Sequence, residues 1–155
     1  MTQPPFVPEA VRVPEGRELV LIAHASGVQI YSRSDAHGQP AWQLKAPEAT
    51  LFDEQGRAIG IHFAGPTWRL HNGSEVVATV VARAPSPDAR AIAWLLLTVT
   101  HHSGNDVFSR VTDIQRIHTA GGQPPAGEAV RGSDKQPLEY RSSYEADYYF
   151  YAASR

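Results

Sequence analysis

Ala93-Trp94-Leu95-Leu96-Leu97-Thr98-Val99-Thr100-His101-His102, then Ser103-Gly104-Asn105-Asp106, then Val107-Phe108-Ser109-Arg110-Val111-Thr112-Asp113-Ile114-Gln115-Arg116-Ile117-His118, is the stretch whose reading decides the fold. Two long runs rich in β-branched and aromatic residues, joined by a short polar break containing Gly, predict a β-hairpin. A hairpin of this length is marginal by itself in water, so further strands must cover it.

Those strands are found by working outward. Towards the N-terminus, Asn72-Gly73 separates Thr67-Trp68-Arg69-Leu70-His71 from Glu75-Val76-Val77-Ala78-Thr79-Val80-Val81-Ala82. Asn-Gly suits a type I′ turn, which needs positive φ at both central residues. Before it, Arg57-Ala58-Ile59-Gly60-Ile61-His62-Phe63 alternates strictly, and Ala41-Trp42-Gln43-Leu44-Lys45-Ala46 alternates and stops at Pro47. Residues 47–52 read equally as a helical turn or a short strand, and residues 18–32 read as two strands around a break at Ser26-Gly27. Asp88 is a candidate cap for one helical turn before the Ala93 strand. Towards the C-terminus, residues 120–136 form the longest irregular segment, a candidate lid or binding loop. Residues 140–152, with Tyr148-Tyr149-Phe150-Tyr151, are a last aromatic strand. The prediction is one all-β domain over residues 18–155, behind an extended arm over residues 1–17 that carries four prolines. About eight or nine strands with minimal helix fit either an antiparallel β-barrel or a two-sheet β-sandwich.

The totals bound what such a domain does. The chain has 155 residues, 42% hydrophobic and 19% charged, with a formal net charge of −2. A chain of this size buries about 70% of its unfolded surface, and nothing in the composition points to disorder. With no basic run, neither nucleic acid nor an anionic membrane is an expected partner. No window approaches the ~18 apolar residues of a membrane helix. There is no cysteine, so disulfides, thiolate nucleophiles and sulfur-ligated metals are excluded. Met1-Thr2-Gln3-Pro4-Pro5-Phe6-Val7-Pro8 lacks the basic and apolar regions of a secretory signal. A soluble cytoplasmic protein is the expectation, with an exported protein lacking its signal as the alternative.

Several stretches together resemble a family of small bacterial and fungal proteins catalogued as a domain of unknown function. They are His24-Ala25-Ser26-Gly27-Val28-Gln29-Ile30-Tyr31, Lys45-Ala46-Pro47-Glu48-Ala49-Thr50-Leu51-Phe52-Asp53, Ile59-Gly60-Ile61-His62-Phe63-Ala64-Gly65-Pro66-Thr67-Trp68 and Asp113-Ile114-Gln115-Arg116, with Thr119-Ala120-Gly121-Gly122 and the closing Tyr148-Tyr149-Phe150-Tyr151. The resemblance covers roughly residues 12–152 and implies no particular activity or site. It implies that relatives are commonly exported, with one cysteine just after the Val-Gln-Ile-Tyr strand and another in the loop after Gly-Gly. The matching positions here are Ser32 and the neighbourhood of Gly127 and Glu128. Loss of both cysteines is what a reducing compartment permits.

The candidate site residues are His62, Trp68, Arg69, Gln115 and Arg116. His62 shares a face with Ala58 and Gly60, opposite Ile59, Ile61 and Phe63. It points outward if the branched face is the core, and inward if a barrel encloses a cavity lined by small residues. Trp68 is either a pocket wall with Arg69 as a polar handle or, with Trp42 and Trp94, a core piece. Arg116 shares a face with Phe108, Ile114 and His118. It reads either as held by a carboxylate such as Glu48, Glu145 or Asp147, or as a binder of an anionic ligand. His24, His62 and His102 are a zinc set that no spacing signature supports; His101 and His102 are adjacent on a strand and point to opposite faces. No metal or other cofactor is expected. The leading functional expectation is a non-enzymatic small-ligand-binding domain with its pocket at one end of the sheet. A small histidine-dependent enzyme, with or without a metal, in the same cavity is the alternative, and a structural or self-associating module, for instance a homodimer, is the third.

Overall fold

The computed structural model describes residues 5–34, 41–125 and 138–154. Eight strands follow one another in chain order: β1 (Arg17–Ser34), β2 (Ala41–Phe52), β3 (Ala58–Phe63), β4 (Thr67–Leu70), β5 (Glu75–Ala84), β6 (Trp94–Ser103), β7 (Val111–Gly121) and β8 (Leu138–Ala153). Each is antiparallel to the next, and β8 pairs back onto β1. The result is a closed up-and-down barrel, so the sandwich alternative falls away. Two 3-10 turns, Glu9–Val11 and Val107–Arg110, are the helical content of the described residues.

The barrel wall explains where the sequence misleads. β1 is one strand, and Ser26-Gly27 does not break it. Gly27 lies opposite Ala49, and a Cβ there would stand 2.1 Å from the carbonyl oxygen of Glu48. This glycine therefore marks a close approach of two backbones rather than a turn. β2 likewise runs through Pro47 to Phe52. Its ladder to β3 begins only at Ala49, so the edge beside Pro47 that faces β3 is open and a proline is tolerated.

The organising hairpin is real, but its connection is longer than the polar break. Val107–Arg110 leaves the sheet as a 3-10 turn because the Asp106 carboxylate accepts the Phe108 N–H at 3.0 Å. Local capping outweighs strand propensity there and drops Phe108 into the core. At Asn72-Gly73 only Gly73 has positive φ, at 93°. Leu70 N–H bonds the Ser74 carbonyl across a three-residue loop, so the turn is the form with one left-handed glycine and not type I′. Asp88 closes a turn through the Arg90 and Ala91 amides and starts no helix.

Inside the barrel, small residues face large ones. Ala23, Ala25, Gly27, Ala49 and Gly60 leave room that Trp68, Tyr144, Tyr148, Phe108 and Phe150 fill. A second apolar layer lies outside the wall, where Val7 and Val11 of the N-terminal arm pack with Trp94, Leu96 and Ile117. β6 is thereby buried on both faces over its first half, which is why Trp94-Leu95-Leu96-Leu97 is a continuous apolar run. Among the described residues no helix is long and apolar enough to cross a membrane.

Candidate ligand pocket

A gap in the barrel wall creates the site. The β3–β4 hairpin is much shorter than its neighbours: β2 pairs with β3 only from Ala49 to Phe52, and β5 with β4 only from Glu75 to Val77. Above the turn Ala64-Gly65-Pro66, residues 41–48 of β2 and 79–84 of β5 have no strand between them among the described residues. Thr67 Oγ1 donates to the Ala64 carbonyl at 2.8 Å and fixes that turn, whose Gly65-Pro66 peptide is cis.

Through the gap opens a hollow of about 270 Å³. Its mouth is formed by Leu44, Lys45, Ala46 and Pro47 on one side and by the Ala64-Gly65-Pro66 turn below. Val80, Leu95 and Leu97 make an apolar wall, while Gln29, His62, Trp68, Arg116 and Tyr148 bring the polar atoms. A second, shallower hollow, bordered by Gly27, Thr50, Ile61 and Phe63, is more open to solvent.

His62 is 3% exposed and stacks on Trp68, with centroids 4.4 Å apart, while Tyr148 tilts against it at 5.0 Å. Its Nδ1 lies 2.8 Å from the Thr67 carbonyl, which can only accept; Nδ1 therefore carries the proton and Nε2 the lone pair. Burial, with a further push from the Arg116 charge, brings its pKa down to about 3, so the ring is neutral at physiological pH. Arg116 is the arginine that lines the hollow, and it is half-buried. Its Nε and Nη2 donate to the Ala93 carbonyl at 3.1 and 2.9 Å. Its charge acts on the hydroxyls of Tyr31, Tyr144 and Tyr148, whose pKa values burial raises. Two atoms of the lining, Gln29 Oε1 and Trp68 Nε1, are buried with no hydrogen-bond partner among the described residues, as are Trp42 Nε1 and Trp94 Nε1 away from the hollow.

The fold brings three of the five sequence candidates to this hollow, His62, Trp68 and Arg116, and takes the other two elsewhere. Arg69 points outward, pairs with Glu75 at 2.9 Å and lies over the Phe63 ring. Gln115 faces the N-terminal arm: its Nε2 donates to the Val11 carbonyl and the Tyr151 hydroxyl donates to its Oε1, both at 2.7 Å. That buried clamp is structural. Tyr151→Phe should cost about 1–2 kcal/mol in denaturant unfolding by stranding the Gln115 oxygen, and should leave the pocket unchanged.

The carboxylates proposed for Arg116 are all engaged on the outer surface. Glu48 meets Arg141 at 2.9 Å, and Glu145 meets His24 at 3.1 Å. Asp147 takes His24 at 2.8 Å and His118 at 2.7 Å. His118 leaves the face of Arg116 because a register shift between Ile117 and Ala120 turns it outward at φ 50°. The histidine set His24, His62 and His102 is not assembled either. His62 is inside, His102 is exposed at the end of β6, and His24 is outside, its pKa raised first by the Asp147 hydrogen bond. Among the described residues no group of three or more His, Cys, Asp or Glu is placed to hold a metal ion. Of the candidate lid, residues 126–136 lie outside the described residues.

A family model described as a protein of unknown function (DUF3455) matches residues 14–152. The chain belongs to the DUF3455 family. The match takes in the first seven strands of the barrel whole and β8 as far as Ala152. The chain matches no curated protein and no solved structure. In this DUF3455 barrel the sequence reading missed Gln29, Tyr31 and Tyr144. The available signal was the small-residue face of β1, Ala23, Ala25 and Gly27, on which Gln29 lies.

Proposed function

We propose that this barrel is a binding protein for a small molecule, held in the hollow behind the β2–β5 gap. The observation that carries the reading is the pair of buried, unpartnered atoms Gln29 Oε1 and Trp68 Nε1 on residues that line one hollow. Buried polar groups without partners cost stability, and a ligand that both donates and accepts hydrogen bonds removes that cost. The mixed lining, mostly apolar with a few convergent polar groups, is the usual composition of a ligand site. At about 270 Å³ the hollow suits one ring or a short branched chain, since apolar cavities of about 150 Å³ admit benzene. A histidine with its pKa at about 3 is a weak base at neutral pH, which favours His62 as a hydrogen-bond acceptor for a ligand over a proton-abstracting group.

The test is ligand-observed NMR with a library of single-ring acids, amides, alcohols and amines, run on the protein and on Leu44→Trp. Leu44 lines the hollow on the face of Gln29 and Tyr31 and is exposed, so an indole there narrows the opening while changing stability by less than about 1 kcal/mol. Fragments that bind the native protein and lose at least tenfold in affinity to Leu44→Trp support the reading. A library with no such fragment overturns it.

A further inference from the structure

Resting on that reading, we propose that the ligand is a small apolar carboxylate, its oxygens on the Arg116 guanidinium and its ring or branched chain against Trp68, Val80, Leu95 and Leu97. The argument begins with charge. Arg116 projects from β7 into the barrel on the same face as Ile114, and no carboxylate reaches it among the described residues. The other cation at the hollow, Lys45, is already paired with Glu139. The groups nearest the guanidinium are neutral: three tyrosines and the uncharged imidazole of His62. Arg116, half-buried, therefore holds a positive charge beside the hollow with no carboxylate on it among the described residues. A charge partly removed from water without a counter-charge is costly, and an anion in the hollow supplies the partner.

Geometry narrows the anion. A guanidinium has five N–H donors in a planar fork. Two are spent on the single Ala93 carbonyl and the Tyr148 hydroxyl engages another, which leaves two N–H groups as the paired donors that match a carboxylate. The Trp68 Nε1–H adds a donor with no partner. One arginine balances one negative charge, which fits a monocarboxylate better than a doubly charged phosphate. The rest of the lining, Leu44, Pro47, Pro66, Val80, Leu95 and Leu97, offers no further charge, so the body of the ligand is apolar.

Benzoate and benzamide are the probes, being nearly equal in shape and differing in charge. Titration by calorimetry or NMR should find benzoate bound at least tenfold more tightly than benzamide, the scale of a charge-assisted hydrogen-bond pair. Arg116→Gln, which retains an amide donor for the Ala93 carbonyl, should bring the two within about twofold, with benzamide affinity little altered. Should that variant fail to fold, the preference of the native protein decides by itself. Benzamide binding as tightly as benzoate, or neither binding while other library fragments do, overturns the carboxylate assignment and leaves the pocket standing. Failure of every fragment overturns both.

Discussion

Gly27→Ala is expected to destabilise the protein by about 3 kcal/mol, a large effect for adding one methyl group. At Gly27 an added Cβ would lie 2.1 Å from the Glu48 carbonyl oxygen, 2.5 Å from Ala49 Cα and 2.8 Å from Ala49 Cβ. Two of these three neighbours are backbone, so no rotamer change relieves the contact; β1 and β2 must separate instead. That separation is opposed on the far side of β1, which is paired with β8 along almost its whole length from Arg17 to Arg33. Urea unfolding should show a lower midpoint with an unchanged slope, as for a loss of stability without a change of fold. Ser26→Ala, one residue away and solvent-exposed, should stay within about 0.5 kcal/mol. A Gly27→Ala protein within about 1 kcal/mol of the native one would mean that the strands do not cross as closely as described.

The same glycine shows how the sequence encodes a barrel and how it conceals one. Strand type was legible because alternation and β-branching persist through almost every segment; strand order was not, and the next-neighbour antiparallel pairing that short connections favour came only with the fold. The choice of barrel over sandwich depends on β8 meeting β1, a contact between the two ends of the chain that leaves no local mark. Gly27 and Pro47 read as breaks because local rules treat glycine and proline as punctuation. Here one lies at a close backbone approach and the other beside an open edge. In the opposite direction, Val107-Phe108 has strand composition yet turns, because Asp106 caps it.

The site was partly legible for a related reason. Adjacent residues on a strand point to opposite faces, so of Gln115 and Arg116 only one can line the interior, and composition alone favours neither. What resolves it is the N-terminal arm, whose Val11 carbonyl takes Gln115 and leaves Arg116 the inner face. Gln29 lies between Val28 and Ile30, so apolar bias assigns it to the solvent face; in the folded chain it is 2% exposed and lines the hollow. The inner face of β1 is instead marked by small residues, because the aromatic side chains that fill the barrel come mainly from β4 and β8.

His62 should make the protein lose stability in mild acid. Its pKa is about 3 when folded, against an ordinary value of 6.5 when unfolded. Above pH 6.5 the ring is neutral in both states and contributes no pH dependence. As the pH falls below 6.5 the unfolded chain binds a proton that the folded chain does not, so stability falls by about 1.4 kcal/mol per pH unit until the folded pKa is reached. By pH 5 the loss from this group should be about 2 kcal/mol. His24 works in the opposite sense, because its raised pKa favours the folded state as it protonates beside Asp147 and Glu145. The lowered carboxylates, Asp53, Asp88, Asp106 and Glu139, lose their contribution only as the pH falls through the acidic carboxylate range. Comparison with His62→Phe isolates the buried imidazole. That variant forfeits the bond to the Thr67 carbonyl, for about 1 kcal/mol at pH 7, but keeps a ring to stack on Trp68. Its stability should therefore decline less steeply between pH 7 and 5, and the two proteins should draw level or cross in that interval. Parallel pH profiles from urea titrations would show that His62 is already solvated in the folded barrel, and with it that the hollow admits bulk water to its floor.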